Sequence, residues 1–433
     1  PQRKLTGRQI SFDPLFSLIE RILPWLSVLF FLMGIGIARI SEPFAYSVSN
    51  IIETFIDSYS YIAPVVIFLI LTPTLIKMFS NQDSSGNKFA FATLRWFVGV
   101  RILACLYAVI ATTLLFGFPW FFSTSNFTSA ITESLTSLAW MLTNSVYFYA
   151  IYVSIIVFVI AMRVPLLANF LSRGVDWVEY VGRLIIPLIP FFMLGIGAYV
   201  TILPAILTEE LGTTTSTTQV NIVNFAGIPF DISTSWGMIA LYASGALATG
   251  IVCGFWQIGL LILAKRRMPS FSLRDYFSKY WVRIYPLLWA TSSEALSTPL
   301  NLYLVKTIFP QIRNEVRQFV VGTGSILNIN GTMINVFLMT GMVAAMMGLD
   351  ISFLHLLLSL PIVIIIGYGV PGIPGELVLF GGPIAHSIGV PPELLTIFLS
   401  LYVGLQIGLP DSFRTAANST DECVMAAILN DQY

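Results

Sequence analysis

The feature that most constrains this chain is the return, again and again, of long apolar stretches. Leu15–Ala38, Tyr61–Phe79, Phe97–Phe122, Val146–Ala168, Leu184–Leu207, Trp236–Ala264, Met333–Met347 and Leu354–Gly369 are each dominated by hydrophobic residues. Most match or exceed the roughly 20 residues that a helix needs to cross the hydrocarbon core of a bilayer. Only 10% of the 433 residues are charged, against about 25% in a soluble domain. Lipid offers the backbone no hydrogen-bond partner, so such stretches must become helices. The expected fold is an all-α polytopic membrane protein with about eight transmembrane helices. Leu15–Ala38 follows a basic start, but its length and the lack of a small-residue cleavage site read as a span rather than a cleaved signal.

Net charge is zero, so nothing here points to a nucleic-acid partner. Where the charges lie is more telling. Arg3, Lys4 and Arg8 precede the first span, Lys77, Lys88 and Arg95 precede the third, and Arg163 and Arg173 follow the fourth. The densest cluster is Lys265, Arg266, Arg267, Arg274, Lys279 and Arg283. Phe121–Thr143 has no Lys or Arg, and Leu207–Ser235 carries Glu209 and Glu210 instead. Basic loops stay in the cytoplasm, which puts the N-terminus inside and residues 121–143 and 207–235 outside. Arg39, at the outer end of the first span, is a mild exception. Cys105, Cys253 and Cys423 have no metal or redox spacing and read as small core residues. His355 and His386 are isolated. Asn126 heads the one glycosylation triplet that falls in an outer loop. No cofactor is expected.

After residue 265 the pattern changes. Ser278–Leu304 is apolar around a polar tip, "ATSSEALSTPL", and basic residues flank both ends. Such a segment enters and returns on one side, as a re-entrant hairpin. Ile351–Pro391 holds "GYGVPGIPGE" between two apolar arms with no Lys or Arg on either flank. Its glycines and prolines forbid a continuous helix, and it reads as a second hairpin, entering from outside. Two interrupted segments from opposite faces point to inverted repeats and to a transporter binding site. Between them, "NINGT" (Asn328–Thr332) interrupts a span. It frees backbone carbonyls for a monovalent cation, or else forms a small-residue packing patch.

Near the end, Asp411, Arg414, Thr415, Asn418 and Glu422 fall on one helical face. A buried arginine needs a partner, and Asp411 is one turn away. Either the two simply hold the bundle together, or Arg414 clamps a substrate carboxylate while Asp411 takes an ammonium. An enzyme built on Asp411 and Asp421 is disfavoured, because ten helical residues separate them by about 15 Å.

Four motifs in order carry a resemblance: the serine-rich tip, the N-x-[DN]-G-T break, the G-I-P-G hairpin and the D-x-x-R-T-x-x-N helix. Together they resemble the glutamate transporter family, the dicarboxylate/amino acid:cation symporters. The match is specific from Ala290 to Glu422. The resemblance implies a homotrimer working by an elevator mechanism; the lack of long loops and the near-absence of glycosylation triplets point to a plasma membrane, the inner membrane of a bacterium. Residues 14–80 and 138–207 would form the scaffold and trimerisation domain, and 90–122 and 233–430 the moving transport domain. It implies substrate contacts from Ser292, Ser293, Thr332, Asp411, Arg414, Thr415, Asn418 and the backbone of Ile373, Pro374 and Gly375. The implied substrate is an acidic amino acid such as aspartate or glutamate, or a related dicarboxylate.

The departures concern the coupling ion. Asn330 stands where the family has a sodium-binding aspartate, and Glu422 aligns with a second. Arg101 falls where the third span would supply hydroxyl ligands. Asn328, Asn330 and Glu422 are the residues left for a sodium ion, and losing anionic ligands weakens hard-cation binding. Glu294 replaces a serine. Burial favours a neutral carboxyl, which makes Glu294 a candidate proton carrier; a salt bridge, for example to Arg101, is the alternative. The expected function is symport with altered, proton-based coupling. A degenerate member that senses ligand or conducts anions is the other reading.

Overall fold

The computed structural model describes residues 29–48, 84–121, 146–172, 222–291, 294–367, 378–391, 394–406 and 408–432, with isolated positions before 84, at 139 and 143, and between 190 and 202. The tips at Ser292, Ser293 and at Ile373, Pro374, Gly375 lie outside the described residues.

Among the described residues two helices are long and apolar enough to cross a membrane. They follow a shorter apolar helix, α1 (Leu29–Ile40). The first is α2 (Ser84–Phe116). Apolarity extends to Phe122, yet the helix stops at Phe116. Gly117 adopts φ 68° and the Phe118 N–H reaches back to the Thr113 carbonyl at 3.0 Å, the 6→1 bond of a glycine-terminated helix. The stretch expected to run from Val146 to Ala168 divides into α3 (Val146–Ala161) and α4 (Pro165–Ser172), because Val164 precedes a proline and is pushed from helical geometry. The second long helix is α5 (Ser235–Arg267). Thr234 caps its start through the Gly237 N–H, and Lys265, Arg266 and Arg267 occupy its last turn, where cations complement the helix dipole.

Just before α5 is a small antiparallel hairpin that the apolarity pattern does not announce, β1 (Ile222–Phe225) and β2 (Ile228–Asp231). Its turn is Ala226–Gly227 with φ 52° and 77°, the positive pair that a tight two-residue hairpin requires.

Beyond α5, a π-helical turn (Tyr276–Trp281) leads into α6 (Val282–Thr291) and α7 (Glu294–Ile308). These are the two arms around the first tip. Next come α8 (Asn314–Leu327) and α9 (Asn330–Met346), separated at the NINGT break. The second interrupted segment gives α10 (Phe353–Leu358), α11 (Leu360–Ile366) and α12 (Val378–Ser387). Arms α11 and α12 pack on each other, so the chain does double back around the Gly/Pro stretch. Finally α13 (Leu395–Gln406) and α14 (Leu409–Leu429) are bent by 63° at their junction, where Gly408 has φ 99°.

Long-range backbone bonds separate two ends of the molecule. At one end the Ala226 N–H donates to Leu115 O at 2.6 Å and the Phe353 N–H to Pro119 O at 2.9 Å. The loop hairpin, the end of α2 and the start of the second interrupted segment thus share one end, the one with few bases. At the opposite end, the Arg313 N–H donates to Asn430 Oδ1 at 2.9 Å and Gln311 Nε2 reaches Ser270 O at 3.4 Å. The ends of α5, α7 and α14 meet there with the basic cluster. The charge asymmetry along the sequence is therefore an asymmetry in space.

Helix α14 sits at the centre, packed by α5, α6, α7, α8 and α9. From Arg414 to Leu429 every side chain on it is buried. From Arg414 onward the polar stripe is therefore not one face of a lipid-exposed helix: the opposite face meets protein too, while Leu409, Ser412 and Phe413 in the first turns are half-buried. Near α1, a Cβ on Gly34 would overlap the Leu194 carbonyl and one on Gly197 the Phe31 carbonyl, so two backbones run in contact through a pair of glycines. Phe31 also stacks on Tyr242 of α5, with ring centroids 5.3 Å apart.

Candidate functional site

Asn418 organises the site. Its side-chain oxygen accepts the Gly331 N–H at 2.6 Å and the Thr332 N–H at 3.3 Å. These are first-turn donors of α9, which its own N-cap residue, Ile329, does not satisfy with a side chain. The cap that a helix normally takes from its own Ser, Asp or Asn comes here from another helix. The Asn418 Nδ2 donates to Thr332 Oγ1 at 2.9 Å and to Glu294 Oε1 at 2.8 Å. Its backbone oxygen accepts Asn328 Nδ2 at 2.6 Å. One residue thus ties the first hairpin, the NINGT break and α14 together.

The break motif needs its glycine for closeness. A Cβ on Gly331 would lie 2.5 Å from Arg414 O and 3.0 Å from Asn418 Oδ1. With glycine there, the start of α9 comes close enough to α14 for Arg414 Nη1 to donate to Thr332 Oγ1 at 2.7 Å. Arg414 also forms a salt bridge with Asp411, and both are buried. Thr415 is buried as well, and its hydroxyl has no hydrogen bond among the described residues. An unsatisfied buried hydroxyl is costly and suits a group that awaits a ligand.

Two helix N-termini, those of α7 at Glu294 and α9 at Asn330, meet at Asn418, and α14 begins about two turns before it. Each carries the partial positive charge of a helix dipole, answered in part at α9 by Asn418 Oδ1, which accepts the Gly331 and Thr332 N–H groups; what remains favours an anion.

The cation candidates are placed as follows. Asn330 Nδ2 donates to Asn328 Oδ1 at 2.8 Å. Glu422 Oε2 accepts Asn301 Nδ2 at 2.9 Å, and Asn301 Oδ1 accepts the Tyr280 hydroxyl at 2.6 Å. Arg101, with 1% of its surface exposed, donates from Nη2 to Leu327 O at 2.5 Å. Leu327 is the last residue of α8, so a guanidinium sits at the carbonyl end of a broken helix, where negative partial charge gathers. Next to Glu422, Asp421 accepts Gln257 Nε2 at 3.2 Å, and the same amide donates to Thr420 Oγ1 at 2.5 Å. Among the described residues no group of three or more His, Cys, Asp or Glu converges as a metal site.

Asp411, Arg414, Thr332, Asn418 and Glu294 thus form one connected cluster, with Asn328 and Asn330 attached through Asn418. Around it, Asn301 holds Glu422 and Arg101 donates to Leu327 O. Asn301, Tyr280 and Gln257 were not singled out from sequence. Neither was the chain formed by Thr249, Asn335 and Gln406, in which Thr249 Oγ1 donates to Asn335 Oδ1 at 3.2 Å and Asn335 Nδ2 to Gln406 Oε1 at 2.6 Å. The signal that could have found them is an amide inside an apolar stretch.

Compared with known families, residues 223–432 match the model of the Sodium:dicarboxylate symporter family. The matched region contains every residue of this site except Arg101.

Proposed function

The chain belongs to the sodium:dicarboxylate symporter family, and from that premise we propose that it moves acidic amino acids, such as aspartate or glutamate, by secondary active transport. The observation that carries the substrate class is the buried Asp411–Arg414 pair beside helix N-termini. Without substrate the two charges compensate each other. An acidic amino acid brings a carboxylate for Arg414, which can bind it bidentately, and an ammonium for Asp411. One ion pair is exchanged for two and neither protein charge is stranded. A dicarboxylate without an amino group leaves Asp411 uncompensated, at a cost of several kcal/mol for a buried charge. Related dicarboxylates are therefore the weaker substrates. Thr415 and Thr332 complete the contacts, and by the family resemblance Ser292, Ser293 and the backbone of Ile373–Gly375 would add to them.

Our reading of the coupling is protons rather than sodium. A sodium ion bound at the break would draw on Asn328, Asn330, nearby carbonyls and Glu422. The donor set fits poorly: Asn330 is neutral and bonded to Asn328, Leu327 O is held by Arg101, and Glu422 is held by Asn301. Four carboxyls (Glu294, Asp411, Asp421 and Glu422) and two arginines (Arg101 and Arg414) are buried around this core. Unpaired buried charges are expensive, so the surplus acids call for protons. Glu294 is the nearest to the substrate contacts and is our first candidate carrier.

The same reading takes the chain as a homotrimer in a plasma membrane, with 14–80 and 138–207 as scaffold and 90–122 and 233–430 as an elevator. The test is uptake of labelled L-aspartate, L-glutamate and succinate into proteoliposomes, with sodium and pH gradients set independently. Uptake of the amino acids driven by a pH gradient without sodium is the expected result. Strict sodium dependence would overturn the coupling. Ligand-induced stabilisation without flux would identify a sensor instead.

A further inference from the structure

Away from this site, at the basic end of the molecule, α2 and the ends of α5 and α14 enclose an open groove of about 560 Å³. Its chemistry divides along its length. Arg95 from α2 and Arg267 from the last turn of α5 line it, and both are exposed. Neither guanidinium has a carboxylate or other acceptor among the described residues. Deeper along α2, Gly99, Ile102 and Leu103 follow Arg95 on one helical face, with Ile102 40% and Leu103 58% exposed. A Cβ on Gly99 would meet nothing within 4 Å, so the glycine leaves a channel rather than serving a packed contact. Trp96 also lines the groove, and its indole N–H, shielded from water, has no acceptor among the described residues.

Two cationic heads at the basic end and an apolar trough running about 12 Å along the helix toward the bilayer centre describe a site for an anionic amphiphile. We propose that the groove binds one anionic phospholipid from the leaflet at the basic end. Its phosphate lies between Arg95 and Arg267, and an acyl chain lies along Gly99, Ile102 and Leu103. Basic pockets between helices on the cytoplasmic side select such headgroups over zwitterionic ones. A free anion would use the arginines but gain nothing from the trough, so the apolar half argues for the lipid.

The experiment uses the full chain purified in detergent. Phosphatidylglycerol, phosphatidylcholine with the same acyl chains, and inorganic phosphate are each titrated. Bound lipid is counted by native mass spectrometry and the melting temperature is followed in parallel. Phosphatidylglycerol should bind and raise the melting temperature, phosphatidylcholine far less, and phosphate alone not at all. Arg95→Gln with Arg267→Gln should weaken phosphatidylglycerol binding about 30-fold, at one charge's attraction per arginine. Gly99→Leu fills the trough without touching either arginine and should weaken both lipids. The proposal falls if the two lipids bind equally, if phosphate alone reproduces the shift, or if Gly99→Leu leaves phosphatidylglycerol binding unchanged. The last comparison decides even if the double arginine variant does not fold.

Discussion

Replacing Asn418 with aspartate is the sharpest test of the site. The change keeps the oxygen that caps α9 but turns the amide nitrogen, 2.8 Å from Glu294 Oε1, into a second carboxylate oxygen. Two unit charges at that distance repel by about 6 kcal/mol at an effective dielectric of about 20. Protonating one ordinary carboxyl at pH 7 costs about 4 kcal/mol, at about 1.4 kcal/mol per pH unit above its intrinsic value. For the unloaded state, in which Glu294 is ionised, proton uptake is the cheaper outcome, so folded Asn418→Asp should hold a proton that the unfolded chain does not. Its stability deficit relative to wild type then grows as pH rises, to about 4 kcal/mol at pH 7, and shrinks by about 1.4 kcal/mol per unit as pH falls toward 4. Adding Glu294→Gln removes the repulsion and should recover most of the loss. The assay is the melting temperature of the purified protein from pH 5 to 8, for the wild type, both single variants and the double. A deficit that is the same at pH 5 and pH 8, or that Glu294→Gln does not relieve, would refute the reasoning.

Arg101→Gln takes the fixed charge from Leu327 O; we expect ligand-induced melting shifts to become sodium-responsive, and a sodium titration as flat as in wild type would remove Arg101 as a substitute cation. Asp411→Asn takes away the carboxylate that compensates buried Arg414 and should cost about 3–5 kcal/mol of stability, read as a lower melting temperature that acidic ligand partly restores. Gly331→Ala presses a methyl group against the Arg414 carbonyl 2.5 Å away; overpacking of this kind costs about 1–3 kcal/mol, and unchanged melting would show that α9 can draw back from α14. Ala226→Gly should act in the other direction, because Ala226 holds φ 52° at a cost of about 1 kcal/mol that glycine avoids; a slightly higher melting temperature is expected.

The parts of this molecule legible in its sequence are those governed by solvent. Apolar length marked α2 and α5, and the spacing of lysine and arginine separated the two ends, because both respond to a bilayer that the sequence must match residue by residue. Proline and glycine placed the interruption at the second hairpin, whereas the breaks at Val164, inside a stretch read as one span, and at Gly408 went unread. The Asp411–Arg414 pair was legible because a buried arginine can scarcely stand without a nearby carboxylate. What could not be read depends on third partners. Asn418 was marked as a substrate contact, but its capping of α9 needs two helices that only the fold brings together. The Asn301 bridge between Tyr280 and Glu422 spans three elements in the same way. The premature end of α2 was missed for a local reason: Gly117 terminates a helix whose apolar composition continues past it.

The glycine pair at Gly34 and Gly197 bears on mechanics. Where two backbones touch with no side chain between them, each carbonyl sits in a notch of the other helix, and a shift along the axis would drive Cβ atoms of neighbouring residues into those notches. Such a joint resists shear. The stack of Phe31 on Tyr242 has no notch: two flat faces can trade one neighbour for the next with little loss. In the elevator we propose, α1 would therefore be keyed to the helix carrying Gly197 and greased against α5, and the plane of slip would run between Phe31 and Tyr242.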